Sequence, residues 1–218
     1  MKKVAIFAVV STLLVVSLIT ISVVDDTDAA SFSLPTSGSC GENIKWNYDH
    51  QSKTLTISGA GPMDDVEKGR WTYDWSNLNP QYQVKHVVMK GSISTIGKNA
   101  FRSCTLLESI TMPDSVVRIN DGAFSYCSKL TNITIPDSVK ELGDAFSGCN
   151  ALTTVTLSDQ ITSLNMNLFS GCTKLTEVKL PRELIEFDGF SGCTKLKVDL
   201  NQCPKLKTVT LRQMNQMS

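Results

Sequence analysis

The tetrapeptide FSGC occurs three times, at Phe146 to Cys149, Phe169 to Cys172 and Phe190 to Cys193, and so brings a thiol back at near-regular intervals. Thiols in series can hold a soft metal, form disulfides or fill a core. Zinc sites take ligands in CxxC-like pairs with closing residues. Here the cysteines stand singly, and both histidines, His50 and His86, fall outside the FxxC units, so no metal or other cofactor is expected. Complete pairing within one chain is impossible, because the cysteines number seven. The carboxylates Asp64, Asp65 and Glu67 also invite a chemical role, as acid and base or as calcium ligands. They follow the glycine-rich GAGPM at 59–63 and read more simply as a solvated loop. Neither GxSxG, HExxH nor a phosphate-cradling glycine loop occurs, so the residues offer no constellation for catalysis.

The elements that carry the thiols repeat. Phe101, Phe124, Phe146, Phe169 and Phe190 follow one another at steps of 23, 22, 23 and 21 residues. Each is followed three residues later by a cysteine (Cys104, Cys127, Cys149, Cys172, Cys193) and three further on by Leu107, Leu130, Leu152, Leu175 or Leu196. A fixed period of this length is the mark of a stacked array. In each unit, LxxIxI alternates apolar with polar residues, the pattern of a strand with one buried face. The AFxxC part puts small, aromatic, thiol and aliphatic groups on one face of a short helical turn. Between them PDSVVRI, PDSVKEL and PRELIEF begin with proline where a strand should stop, then add two inward aliphatics.

One such unit cannot bury its apolar groups alone, but stacked copies can, with each strand parallel to the next. The fold expected is therefore a repeat solenoid. Strands are predicted at Val87 to Met89, Ile110 to Met112, Ile133 to Ile135, Val155 to Leu157, Val178 to Leu180, Val198 to Leu200 and Val209 to Leu211. Equivalent cysteines of stacked coils would lie about one strand spacing apart, ~4.8 Å, within range of a disulfide. A cysteine one turn after a core phenylalanine nevertheless reads best as a small buried hydrophobe, giving a reduced ladder. Cys40, in SGSCGEN, reads as an ordered residue of the segment before the array, with pairing between chains or to a repeat cysteine as the alternatives. From Val198 to Val209 the spacing contracts to 11 residues, so the last coil is expected to be irregular.

The LxxIxI core with its PDSVxxI and AFxxC companions resembles the BspA-like class of leucine-rich repeats found in exported microbial proteins. Upstream, Trp46-Asn47-Tyr48, LTISGAGPM at 55–63 and Trp75 are similar to the segment that precedes these arrays in the same family. The resemblance implies an α/β-type leucine-rich repeat solenoid: a parallel, one-faced β-sheet, short helical turns on the convex side and an N-terminal β cap. Domain limits follow at 1–30 for a leader or anchor, 31–83 for the cap, 84–211 for the array and 212–218 for the tail.

Lys2 and Lys3 precede the uncharged stretch Val4 to Val24, and Ala29 and Ala30 suit signal peptidase, so residues 1–30 read as an export signal. The 21-residue apolar stretch is also about long enough to cross a bilayer, making an uncleaved N-terminal membrane anchor the alternative. In either case the body of the chain faces outward, secreted or at the cell surface. Lys plus Arg equal Asp plus Glu at 21 each, without like-charge runs, which argues against nucleic acid as a partner.

What remains is surface. Between the inward aliphatics stand Ser109, Thr111, Asn132, Thr134, Thr154, Thr156, Glu177, Lys179, Lys197, Asp199, Thr208 and Thr210, predicted to form two rows on the solvent face of the sheet. Threonine is simply a good exposed strand residue. The rows turn from neutral to charged beyond Thr156, however, which suits a protein epitope. In leucine-rich repeat proteins this face commonly binds partners, so the resemblance implies a non-enzymatic protein mediating adhesion to a protein ligand on another cell, a host or a matrix. Two alternatives stand beside it. One is a structural spacer or envelope component that self-associates at its open C-terminal end. The other is carbohydrate binding through the aromatic loop of Trp71, Tyr73 and Trp75, whose simpler role is to close the core.

Overall fold

The structure is a computed structural model and describes residues 36–66, 84–188 and 190–210. The leader or anchor of residues 1–30, the aromatic loop with Trp71 and Trp75, and the tail 212–218 lie outside the described residues. Three strands come first: β1 (Ser37–Gly41), β2 (Ile44–Asp49) and β3 (Thr54–Pro62). They pair antiparallel in succession. In β2 the alternation is plain, with Ile44, Trp46 and Tyr48 buried and Lys45, Asn47 and Asp49 exposed. Asp49 shapes the turn into β3, its carboxylate accepting from the Gln51 N–H at 2.9 Å and the Ser52 hydroxyl at 2.7 Å.

The chain then changes from antiparallel to parallel pairing. β4 (His86–Ile96) runs alongside β3, placing Leu55 against Val87 and Ile57 against Met89. Both strands bend at a facing pair of glycines, Gly59 and Gly91, at φ 142° and 86°. A Cβ on Gly91 would sit 2.4 Å from the Gly59 carbonyl oxygen. The strands turn this corner together because neither has a side chain there. Past the bend Ile93 and Ile96 return to the core.

Each later coil contributes two short strands: β5 (Ser109–Thr111) and β6 (Arg118–Ile119), β7 (Asn132–Thr134) and β8 (Glu141–Leu142), β9 (Thr154–Thr156) and β10 (Ser163–Leu164), β11 (Glu177–Lys179) and β12 (Glu186–Asp188), then β13 (Thr208–Thr210) alone. The first of each pair is the LxxIxI strand, and β7, β9 and β11 align in parallel with Ile133, Val155 and Val178 in register. The second members pair in parallel with one another: the end of β4 with β6 and β8, and β10 with β12 and β13. The solenoid thus has two sheet faces where a single one-faced sheet was expected. The second consists of strands of two or three residues, built from the segment after the proline, with one polar residue out and one aliphatic in, as in Arg118 and Ile119.

The PDS tripeptide makes the corner between the two faces. Proline removes the donor that would prolong the first strand. The serine hydroxyl then reaches back one coil: Ser115 donates to the Ile93 carbonyl at 2.8 Å and Ser138 to Val116 at 2.7 Å, and in the next coil, where Ser158 stands in the place of the proline, its hydroxyl donates to Val139 at 2.6 Å. The aspartates reach forward, Asp137 accepting from the Asp159 N–H at 3.3 Å and Asp159 from the Arg182 N–H at 3.2 Å. At the last corner an ion pair between Glu183 and Lys205 joins the coils.

The AFxxC segments are successive turns, not helices, and FSGC shows why. The residue before each cysteine has left-handed backbone: Ser103, Tyr126, Gly148, Gly171 and Gly192, with φ between 59° and 77°. A helix cannot pass through that conformation. Instead alternate N–H groups cross to the next coil, Phe101 to Ala123 O at 2.7 Å, Phe124 to Ala145 O at 2.9 Å and Phe146 to Leu168 O at 3.0 Å. The intervening ones close local turns, as from Cys104 to Phe101 O at 3.2 Å.

Inside, Phe101, Phe124, Phe146 and Phe169 stack with centroids 5.4 to 5.6 Å apart. The column ends where Phe187 of β12 replaces an aliphatic and meets Phe190 edge-on at 5.1 Å. The strand expected at Val198 to Leu200 is a 3-10 helix at Leu200–Gln202, capped by the Asp199 carboxylate on the Asn201 N–H. In earlier coils the inward residue stands three after the leucine, as Val178 follows Leu175; here that place holds Asp199, and Val198 is one position early. A one-residue slip turns every side chain to the other face, so the strand is lost. Val209 belongs to the second face, opposite Phe187, and not to the LxxIxI row. The 11-residue interval therefore corresponds to half a coil. At 39% exposure Val209 is the least covered member of a row in which Ile119 and Phe187 are almost fully buried.

Candidate functional site

On the first face the register lines up the predicted rows. Asn132, Thr154 and Glu177 stand side by side, as do Thr134, Thr156 and Lys179. Ser109 and Thr111 continue the rows onto β4, beside His86 and Val88. His86 Nδ1 and the Ser109 hydroxyl lie 2.9 Å apart, and Lys85 pairs with Glu108 at 3.4 Å along the same margin. Lys179 is loosely tied, its Nζ being 3.9 Å from Asp159 Oδ2, which Arg182 also approaches at 3.9 Å. Such exposed pairs contribute little to stability and leave Lys179 able to exchange partners.

The other four candidates fall elsewhere. Lys197 and Asp199 are exposed in the coil that lost its strand. Thr208 and Thr210 lie on β13, opposite Glu186 and Asp188 of the second face. That face also carries Arg118 and Glu141, paired at 2.7 Å, and Ser163, none of which the LxxIxI pattern points to. The signal for them was a polar residue before each later aliphatic, in RI, EL, SL and EF.

The thiols are internal. All seven described cysteines are buried, and none forms a disulfide. Four donate to the phenylalanine carbonyl of the preceding coil: Cys127 to Phe101 and Cys172 to Phe146 at 3.2 Å, Cys149 to Phe124 at 3.1 Å, and Cys193 to Phe169 at 3.2 Å. Burial pushes Cys149 up to about 12 and Cys193 to about 11, so the reactive thiolate is suppressed. Cys40 is equally enclosed and raised to about 12 by burial and then by Asp64, which takes it out of reach of another chain. Iodoacetamide at neutral pH should therefore leave the folded protein almost unlabelled and label seven thiols after denaturation, as read by intact mass; rapid labelling of Cys149 or Cys172 in the folded state would contradict this packing.

Among the described residues no three His, Cys, Asp or Glu side chains gather as metal ligands, and no helix is long and apolar enough to cross a membrane. Coils stacked in parallel around an aliphatic and phenylalanine core, with polar rows outside, define a leucine-rich repeat protein. The family model for the BspA type leucine rich repeat region matches residues 79–197 in six copies, and the chain belongs to that family. A leucine rich cell surface protein from Faecalibacterium prausnitzii A2-165 is similar in structure, with a TM-score of 0.57 and 24% identity over 82% of this chain. The match spans 51% of that protein, about half its length. The leucine-rich repeat protein of T. pallidum is matched over 71% of this chain and 88% of its own, at 22% identity and a TM-score of 0.44. No curated protein matches the chain.

Proposed function

We propose that this protein is a non-enzymatic binding module, exported and secreted or held at the cell surface, that mediates adhesion by engaging a protein partner on the solvent face of its first sheet. The observation that carries the reading is the parallel register of β7, β9 and β11, which sets Thr134, Thr156 and Lys179 in one line and Asn132, Thr154 and Glu177 in the next. Backbone pairing holds these side chains on a rigid support, so little ordering cost accompanies binding. Opposite charges at Glu177 and Lys179, on a protein of zero net charge, favour a mixed-charge protein epitope over a polyanion. Affinity capture from intact cells and matrix extracts, with the protein on beads, tests the reading. Exchanging the two charges, Glu177→Lys with Lys179→Glu, should abolish capture of the retained protein at unchanged thermal stability. Unaltered capture would remove this face from consideration.

The spacer reading draws on a different observation, the exposed Val209 on β13, the last described strand. It requires concentration-dependent assembly in sedimentation that Val209→Asp suppresses, and no saturable ligand.

A further inference from the structure

A concavity lies across the second face, away from the rows of Thr134 and Lys179. It encloses about 530 Å³ and crosses successive coils from Lys98 through Arg118, Lys140 and Glu141 to Ser163 and Asn165. That is within the usual range for a small-molecule or single-chain ligand site. We propose that this groove binds a neutral oligosaccharide.

Charge narrows the ligand first. The groove is lined by three cations, Lys98, Arg118 and Lys140, and three carboxylates, Asp65, Asp121 and Glu141. Arg118 and Glu141 neutralise one another at 2.7 Å. A sulfated or uronic chain would meet three carboxylates and a polycation three cations, so the balance favours a ligand without charge. Apolar anchoring is next. Among the described residues the aliphatic lining is Ile119, which has no exposed surface, and Leu142, which is half-buried, with no aromatic beside them. Binding there must therefore rest on hydrogen bonds more than on an apolar anchor.

What the groove offers is fixed hydrogen-bonding groups of both kinds. Asp65 is held by the Lys98 N–H at 2.5 Å and by the Asn120 amide at 3.2 Å. Asp121 is held by the Asp144 N–H at 3.0 Å. Both keep acceptor capacity toward the groove. Lys98, Lys140, Thr162 and Ser163 supply donors beside them. A hydroxyl donates and accepts at once, so a chain of sugar hydroxyls satisfies carboxylate and ammonium neighbours together. The parallel coils, ~4.8 Å apart, repeat this pattern along the groove and suit a linear chain.

Titrating the full chain with cellohexaose, xylohexaose, mannohexaose and chitohexaose, alongside polygalacturonate and heparin, tests the site by calorimetry. At least one neutral hexamer should bind, and Lys140→Ala and Asn165→Ala together should weaken it at least about tenfold at unchanged melting temperature. Lys140→Ala alone, on an exposed side chain, should give a smaller loss if the double variant fails to fold. Lys179→Glu on the first face should leave binding as it is. No binding of any neutral hexamer at millimolar concentration, preference for either polyanion, or equal loss with Lys179→Glu would overturn the proposal, as would capture of a protein partner that Lys140→Ala releases.

Discussion

Phe146→Ala is expected to cost about 3–5 kcal/mol and to split the array at its centre. The ring has no exposed surface and stacks between Phe124 and Phe169, with centroids 5.4 and 5.6 Å away. Its backbone ties it to the following coil as well, donating to Leu168 O at 3.0 Å and accepting from the Cys172 thiol at 3.2 Å. Truncation opens a void that the coils on either side cannot close, because each is held at strand spacing by its own ladders. Coils in such an array depend only on adjacent coils, so the loss should appear as two separated transitions in urea, followed by tryptophan fluorescence and circular dichroism. Tyr126→Ala, at a half-exposed side chain in the same turn series, is the comparison. If the two variants unfold at the same urea concentration, the phenylalanine column is not what holds the coils together.

Gly59→Ala should be comparably damaging for a different reason. Its Cβ would lie 2.0 Å from the Asn43 carbonyl oxygen and 2.9 Å from the Ile44 Cα, and φ is 142°. Both obstacles are backbone, so no rotamer change relieves them. The hairpin of β2 and β3 must shift, disturbing the register that presents Leu55 and Ile57 to Val87 and Met89. Gly61→Ala is the control: φ is 97° but nothing stands within 4 Å of its Cβ. Strain alone there should cost about 1–2 kcal/mol, and Gly59→Ala should exceed it severalfold. Melting temperatures within a degree or two of one another would show that close approach, as distinct from backbone strain, is unimportant at the bend.

The phenylalanine and cysteine spacing announced the solenoid because those side chains are large, internal and returned to the same place by every coil. The LxxIxI strands were legible by their alternation, and β5, β7, β9 and β11 lie where the pattern puts them. The second face was hidden by its brevity: Arg118 with Ile119, or Glu141 with Leu142, gives only two residues, too few for a period to register. The AFxxC turn was misread as helical because Phe and Cys are spaced as on a helix, while the decisive residue is the glycine of FSGC. Its left-handed role is obscured in the early coils, where Ser103 and Tyr126 occupy the same place. Of the candidate rows, the eight residues from Ser109 to Lys179 follow the ladder, whereas Lys197 and Asp199 were lost to the slip at Val198. The groove was not foreseeable from periodicity, since it draws Asp65 from the segment before the array together with residues of several coils.

The direction of the hydrogen bonds between coils has a consequence for long-range electrostatics. On the turn side each coil donates forward, Phe101 to Ala123 and Gly148 to Ser170. At the entries to the second-face strands donation runs backward, from Val117 to Ser94, Lys140 to Val117 and Lys207 to Ile185. Peptide dipoles along the solenoid axis therefore oppose one another, unlike those of an α-helix, which add to about half a charge at each end. The array can grow by whole coils without building up a potential at its termini. Whatever approaches it is sorted by side chains such as Lys179, Glu177 and Lys140, with no help from the backbone.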